Sequence, residues 1–104
     1  MLNINTEIRL SPKQQQAMHQ VFCVQHPAGS RVYLYGSRTR LSAAGGDIDL
    51  LVQVPVGTDP LLSIRLTDAL HEALGEQKID ILLTEQLNTP FIQSVLPDSV
   101  SLYP

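Results

Sequence analysis

Residues 35–52 read YGSRTRLSAAGGDIDLLV, and this stretch decides the fold. Its last part, continued to residue 54, is a β-strand pattern of apolar and branched residues stopped by Pro55 and Gly57. Alternate residues of a strand point to opposite faces, so Asp47 and Asp49 project together while Ile48 and Leu50 turn into a core. The stretch begins where another strand, residues 31–35 (RVYLY), ends at Gly36. Residues 37–40 suit a short helical turn, and residues 41–46 are small and loop-like.

Outward from this centre the chain alternates helical and strand patterns, which predicts a single α/β (α+β) domain over residues 1–104. Ser11-Pro12 is an N-cap followed by proline at the first helical position. Ala17, Met18, Val21, Phe22 and Gln25 then trace a helical stripe that ends before Pro27. Asp59-Pro60 opens a second helix with Leu62, Leu66, Ala69, Leu70, Ala73 and Leu74 toward the core, and Gly75 closes it. Residues 78–83 form a third strand, Thr89-Pro90 begins a short helix to about Leu96, and residues 100–102 add an edge strand.

Composition narrows the function. Apolar content of 43%, charged content of 16% and a net charge of −3 describe a soluble globular chain. The acidic balance argues against a protein that grips extended nucleic acid, which needs many cationic phosphate contacts. No apolar run approaches the ~20 residues that cross a bilayer. The N-terminus lacks the apolar segment of a signal peptide, so a cytoplasmic location is expected. Cys23 is the one cysteine, expected as a partly buried small side chain on the first helix. His19, His26 and His71 have no ligand spacing and are expected at the surface, and Tyr33 and Tyr35 share one face of their strand.

The chemistry lies in the acids. Two carboxylates side by side repel, and a divalent cation between them removes that cost; Mg²⁺, a hard ion, suits oxygen ligands and phosphates. Asp80 sits between Ile79 and Ile81 in the third strand, where aspartate is unusual. If that strand lies beside the second, Asp80 reaches the same face, and three carboxylates suit two metal ions about 3.5–4 Å apart. On the other side, Gly36 lets backbone approach a phosphate, Ser37 presents a hydroxyl, and Arg38 offers a guanidinium.

This order of motifs resembles the DNA polymerase beta-type nucleotidyltransferases: a strand ending in Gly-Ser, a spacer of nine residues, an Asp-x-Asp strand, and a third acid in KIDIL about thirty residues later. The likeness is nearest to the minimal nucleotidyltransferases (MNT) that accompany a HEPN-domain partner. It implies a mixed sheet of three to four strands with helices packed against it. It further implies transfer of a nucleoside monophosphate, foremost AMP from ATP, to an acceptor hydroxyl. By the same resemblance Asp47 and Asp49 would bind both Mg²⁺ ions and Asp80 the catalytic one, helping to deprotonate the acceptor. Gly36 and Ser37, with Arg38 beside them, would bind the nucleotide phosphates. A HEPN–MNT pairing implies an antitoxin that modifies its toxin. The alternatives are a non-catalytic module that neutralises a toxin by contact, and nucleotide addition to RNA, which the acidic balance disfavours.

Overall fold

The computed structural model describes residues 3–25, 27, 29–42, 46–75 and 77–103, so His26 and the spacer residues 43–45 lie outside the described residues. Ser11 caps α1 (Pro12–Gln25) reciprocally: its Oγ accepts from the Gln14 N–H at 3.0 Å, and Gln14 Oε1 accepts from the Ser11 N–H at 2.9 Å. This capping box satisfies donors that a helix start otherwise leaves open. Met18 and Phe22 of the expected stripe are fully buried, whereas Ala17, Val21 and Gln25 are half-buried. Gln15 is buried as well, which its amide makes affordable. Its Nε2 donates to the carbonyls of Asn5 (2.8 Å) and Leu10 (2.9 Å), and its Oε1 accepts from the Asn5 N–H at 2.9 Å. These bonds hold the N-terminal segment, with buried Ile8 and Leu10, against α1.

Four strands form one sheet in the order β3-β2-β1-β4. β1 (Arg31–Tyr35) runs antiparallel to both β2 (Ile48–Gln53) and β4 (Val100–Tyr103), while β2 and β3 (Ile79–Thr84) are parallel. A parallel pair needs a crossover, which α2 (Leu62–Leu74) supplies. The sheet is therefore mixed, as the expected architecture requires. The Asp59 carboxylate accepts from the Leu61 N–H at 3.0 Å and shapes Asp59-Pro60 into a turn, so α2 starts at Leu62 rather than at Pro60. Leu62, Leu66 and Leu70 are buried, but Ala73, expected on the core face, is exposed. Gly75 ends the helix at φ 83°, with its N–H on the His71 carbonyl at 2.9 Å.

The two faces of the sheet differ. One carries Val32, Leu34, Ile48, Leu50 and Val52 into a core shared with Met18, Phe22, Leu62, Leu66 and Leu70 from α1 and α2. The other carries Tyr35, Asp49 and Leu51. Leu51 is fully buried there, outside that core. A third helix, α3 (Pro90–Val95), is capped by Thr89 and meets this second face through an edge-on contact of Phe91 with Tyr35. Among the described residues no helix is long and apolar enough to cross a membrane.

Two side chains on α1 sit otherwise than expected, and one on β4 has a role the sequence does not show. Cys23 is exposed, because one step of about 100° beyond buried Phe22 turns it off the core-facing stripe. His19 is half-buried, its ring lying against Tyr103 at 5.2 Å between centroids, while His71 is exposed as expected. Tyr103 itself, to which the sequence assigns no role, is buried and donates its hydroxyl to the Gln15 carbonyl at 3.0 Å.

That bond closes the last strand onto the first helix and is open to test. Tyr103→Phe is expected to lower stability by about 1 kcal/mol, seen as a lower urea midpoint at unchanged m-value. Burial raises the Tyr103 hydroxyl above its ordinary pKa of 10.0. The native state therefore favours the neutral phenol, whose contribution is fully present below about pH 10 and is lost as pH rises further. Wild type should lose stability across that alkaline window more steeply than Tyr103→Phe, and equal slopes would contradict the assignment.

Candidate active site

The parallel register of β2 and β3 sets Asp49 directly opposite Asp80, and the antiparallel register of β1 and β2 sets Tyr35 opposite Asp49. Residues paired across strands share a face, so all three side chains rise from the side away from the main core. Asp47 lies one residue before β2 begins, half-exposed, and joins them. Asp47, Asp49 and Asp80 each bring one carboxylate oxygen to within 4.8 Å of the others. Asp80 is exposed and Asp49 half-buried, so the cluster opens to solvent.

Charge is crowded here. Burial, followed by the Asp80 and Asp47 charges and a hydrogen bond with Asp80, raises the Asp49 carboxyl above its ordinary value; Lys78 opposes the rise. Burial and then the Asp49 and Asp80 charges push the Tyr35 hydroxyl up as well. The Lys78 ammonium reaches Asp47 Oδ2 at 3.5 Å, a mostly solvated pair of small energetic weight. Hard oxygen donors that disfavour their own ionisation together form a set compatible with a divalent cation.

Gly36 lies against this cluster. Its φ is 80°, which strains any residue but glycine, and a Cβ placed there would lie 2.5 Å from Asp49 Oδ2, so a side chain would also displace that carboxylate. The chain then turns through a single 3₁₀ segment, Gly36–Thr39, fastened by Thr39 Oγ1 donating to the Gly36 carbonyl at 2.7 Å. Ser37 is half-buried, and its Oγ accepts from Arg9 Nη2 at 3.5 Å.

Arg38 is engaged differently from what a phosphate contact alone would need. Its Nη1 donates to the Arg9 carbonyl at 2.9 Å, and its Nη2 to the Gly46 carbonyl at 2.9 Å and Gln77 Oε1 at 3.4 Å. The Arg9 N–H returns a bond to the Arg38 carbonyl at 2.8 Å. The guanidinium thus binds the N-terminal segment to Gly46, the residue before Asp47, and so positions an acid of the cluster. Arg40 is exposed.

Arg9, Lys78 and Phe91 are neighbours of the site to which the sequence reading gives no site role. Lys78 had a signal, since it stands two residues before Asp80 and shares its face by strand alternation. Arg9 had none, being 28 residues from the serine it contacts.

A mixed sheet with two acids at the start of one strand, a third on its parallel neighbour and a Gly-Ser turn against them is the framework of a nucleotidyltransferase domain. Residues 20–104 match the family described as Polymerase beta, Nucleotidyltransferase, and the chain belongs to that family. A crystal structure of a Shewanella oneidensis protein shares the fold, with a TM-score of 0.66 at 18% identity, covering 90% of this chain and 72% of that one. No curated protein matches the sequence at a significant level.

Two outcomes follow from the geometry. Gly36→Ala should cost about 1–3 kcal/mol through its backbone conformation, and more if Asp49 cannot give way, as a guanidinium midpoint would show. Because the folded pKa of Asp49 is raised, the metal-free protein binds the extra proton in its native state. Its stability should therefore fall as pH rises from the ordinary aspartate value of 3.8 through the raised one. In EDTA at neutral pH, Asp49→Asn should melt above wild type; a lower melting temperature would contradict the charge assignment.

Proposed function

We propose that this domain is a Mg²⁺-dependent nucleotidyltransferase that moves AMP, or another nucleoside monophosphate, from a nucleoside triphosphate to a hydroxyl of a partner protein. Membership of the nucleotidyltransferase family supports the class of chemistry. The observation that carries the reading is the convergence of the Asp47, Asp49 and Asp80 carboxylate oxygens, with Gly36 against them stripped of any side chain.

Asp47 and Asp49 would hold both metal ions, and Asp80 would share the one beside the acceptor. Bound there, Mg²⁺ supplies charge neutralisation for the phosphoryl oxygens and eases ionisation of the attacking hydroxyl. The chain's own residues do the rest. Gly36 leaves room for the β- and γ-phosphates, and Ser37 offers its hydroxyl to them. Arg38 holds the loop ahead of Asp47 through Gly46, with its cationic charge near the phosphate side. Asp80, the most exposed of the three acids, would help to deprotonate the acceptor hydroxyl. The acceptor oxygen then bonds to the α-phosphorus, the bond to the β-phosphate oxygen breaks, and pyrophosphate leaves.

The partner we assign is a HEPN-domain protein, which makes this chain the antitoxin of a HEPN–MNT toxin–antitoxin pair acting in the cytoplasm. A second reading, neutralisation by contact alone, draws support from Arg38, whose Nη1 and Nη2 donate to Arg9, Gly46 and Gln77 within the chain.

Incubation with α-labelled ATP, Mg²⁺ and the protein encoded beside this one separates the two. Label should pass to the partner and fall about 100-fold or more in Asp49→Asn, as expected when a group that organises transition-state charge is lost. No label with wild type, together with an Asp80→Ala variant that still neutralises the partner, would replace the enzymatic reading with the contact one.

A further inference from the structure

Phe91 stands at the first turn of α3 with 52% of its surface exposed. It differs from the exposed Val24, Val56, Leu61 and Ile64 in being tied to the acid cluster. Its ring meets that of Tyr35 at 6.1 Å between centroids and 80° between planes, an edge-to-face contact that restrains the ring while about half of the residue stays exposed. Tyr35 is in turn the cross-strand partner of Asp49 and the residue before Gly36. One aromatic ring therefore separates Phe91 from both the carboxylates and the Gly-Ser turn.

We infer that Phe91 is the stacking surface for the nucleobase, with Tyr35 as the positioning residue that holds its ring. This inference rests on the nucleotide reading of the site and deepens it. Phosphates held between the acids and Gly36 leave the ribose and base to extend along this same face of the sheet. The base is a flat π-system, and the half-exposed Phe91 ring offers it a stacking surface that the acids and the Gly-Ser turn do not. Stacking of this kind tolerates any base, which predicts weak discrimination among nucleoside triphosphates.

The test compares ATP with inorganic tripolyphosphate, each with Mg²⁺, by calorimetry on wild type, Phe91→Ala and Phe91→Tyr. Phe91→Ala should bind ATP about tenfold more weakly, the loss expected from removing one base–aromatic stack, with tripolyphosphate affinity unchanged. Phe91→Tyr should restore ATP binding, because it keeps the ring. ATP binding unchanged in Phe91→Ala would overturn the inference while leaving the nucleotide reading intact, even if transfer to the acceptor fell. Equal weakening of both ligands would also overturn it, since the ring would then act only through the fold. Wild type binding neither ligand would overturn the nucleotide reading, and this inference with it.

Discussion

The site depends on one constraint, the parallel pairing of β2 with β3 in a register that sets Asp49 beside Asp80. Like charges directly opposite each other in a sheet are destabilising, and here a third acid adjoins them. The register persists because the other faces of the same strands leave it no freedom. Ile48, Leu50 and Val52 are fully buried against α1 and α2, and Ile79 is buried beside them. A slip of one residue would carry that apolar set to the acidic face. The core thus holds the acids where their mutual repulsion would not.

The remainder of the site is arranged around this pair. Gly36 occupies the space that Asp49 leaves, at a backbone conformation that glycine adopts without strain. Arg38 ties the residue before Asp47 to the N-terminal segment, and Gln15 ties that segment to α1. Tyr103 bonds the last strand to the same glutamine's carbonyl. Residues far apart in the chain are in this way joined to the loop that presents the first acid. Local opening of the N-terminal segment would be felt at Asp47 through Arg38 and Gly46.

Much of this was legible in the sequence because it follows from short-range periodicity. Strand alternation places Asp47 with Asp49, the cap signals locate α1 and α3, and Gly75 ends α2. Convergence of Asp80 was conditional on strand order, which no local pattern states. What escaped depends on contacts across the fold. The Arg38 bonds to Arg9 and Gly46, the burial of Gln15 and Tyr103, and the Phe91–Tyr35 contact each join residues that periodicity treats separately. The exposure of Cys23 and Ala73 shows the limit of a helical stripe. It tells which side is apolar, but the neighbouring elements decide how far around the helix burial extends.

The three aspartates are proposed to act together as a seat for divalent cations. Paramagnetic broadening of amide resonances by substoichiometric Mn²⁺ tests it most directly, since the effect reports position. Signals of Gly36, Asp49 and Asp80 and their immediate neighbours should vanish first, and Asp49→Asn should abolish the effect. Broadening spread evenly over exposed acids such as Asp68 and Glu72, or unchanged by Asp49→Asn, would contradict it.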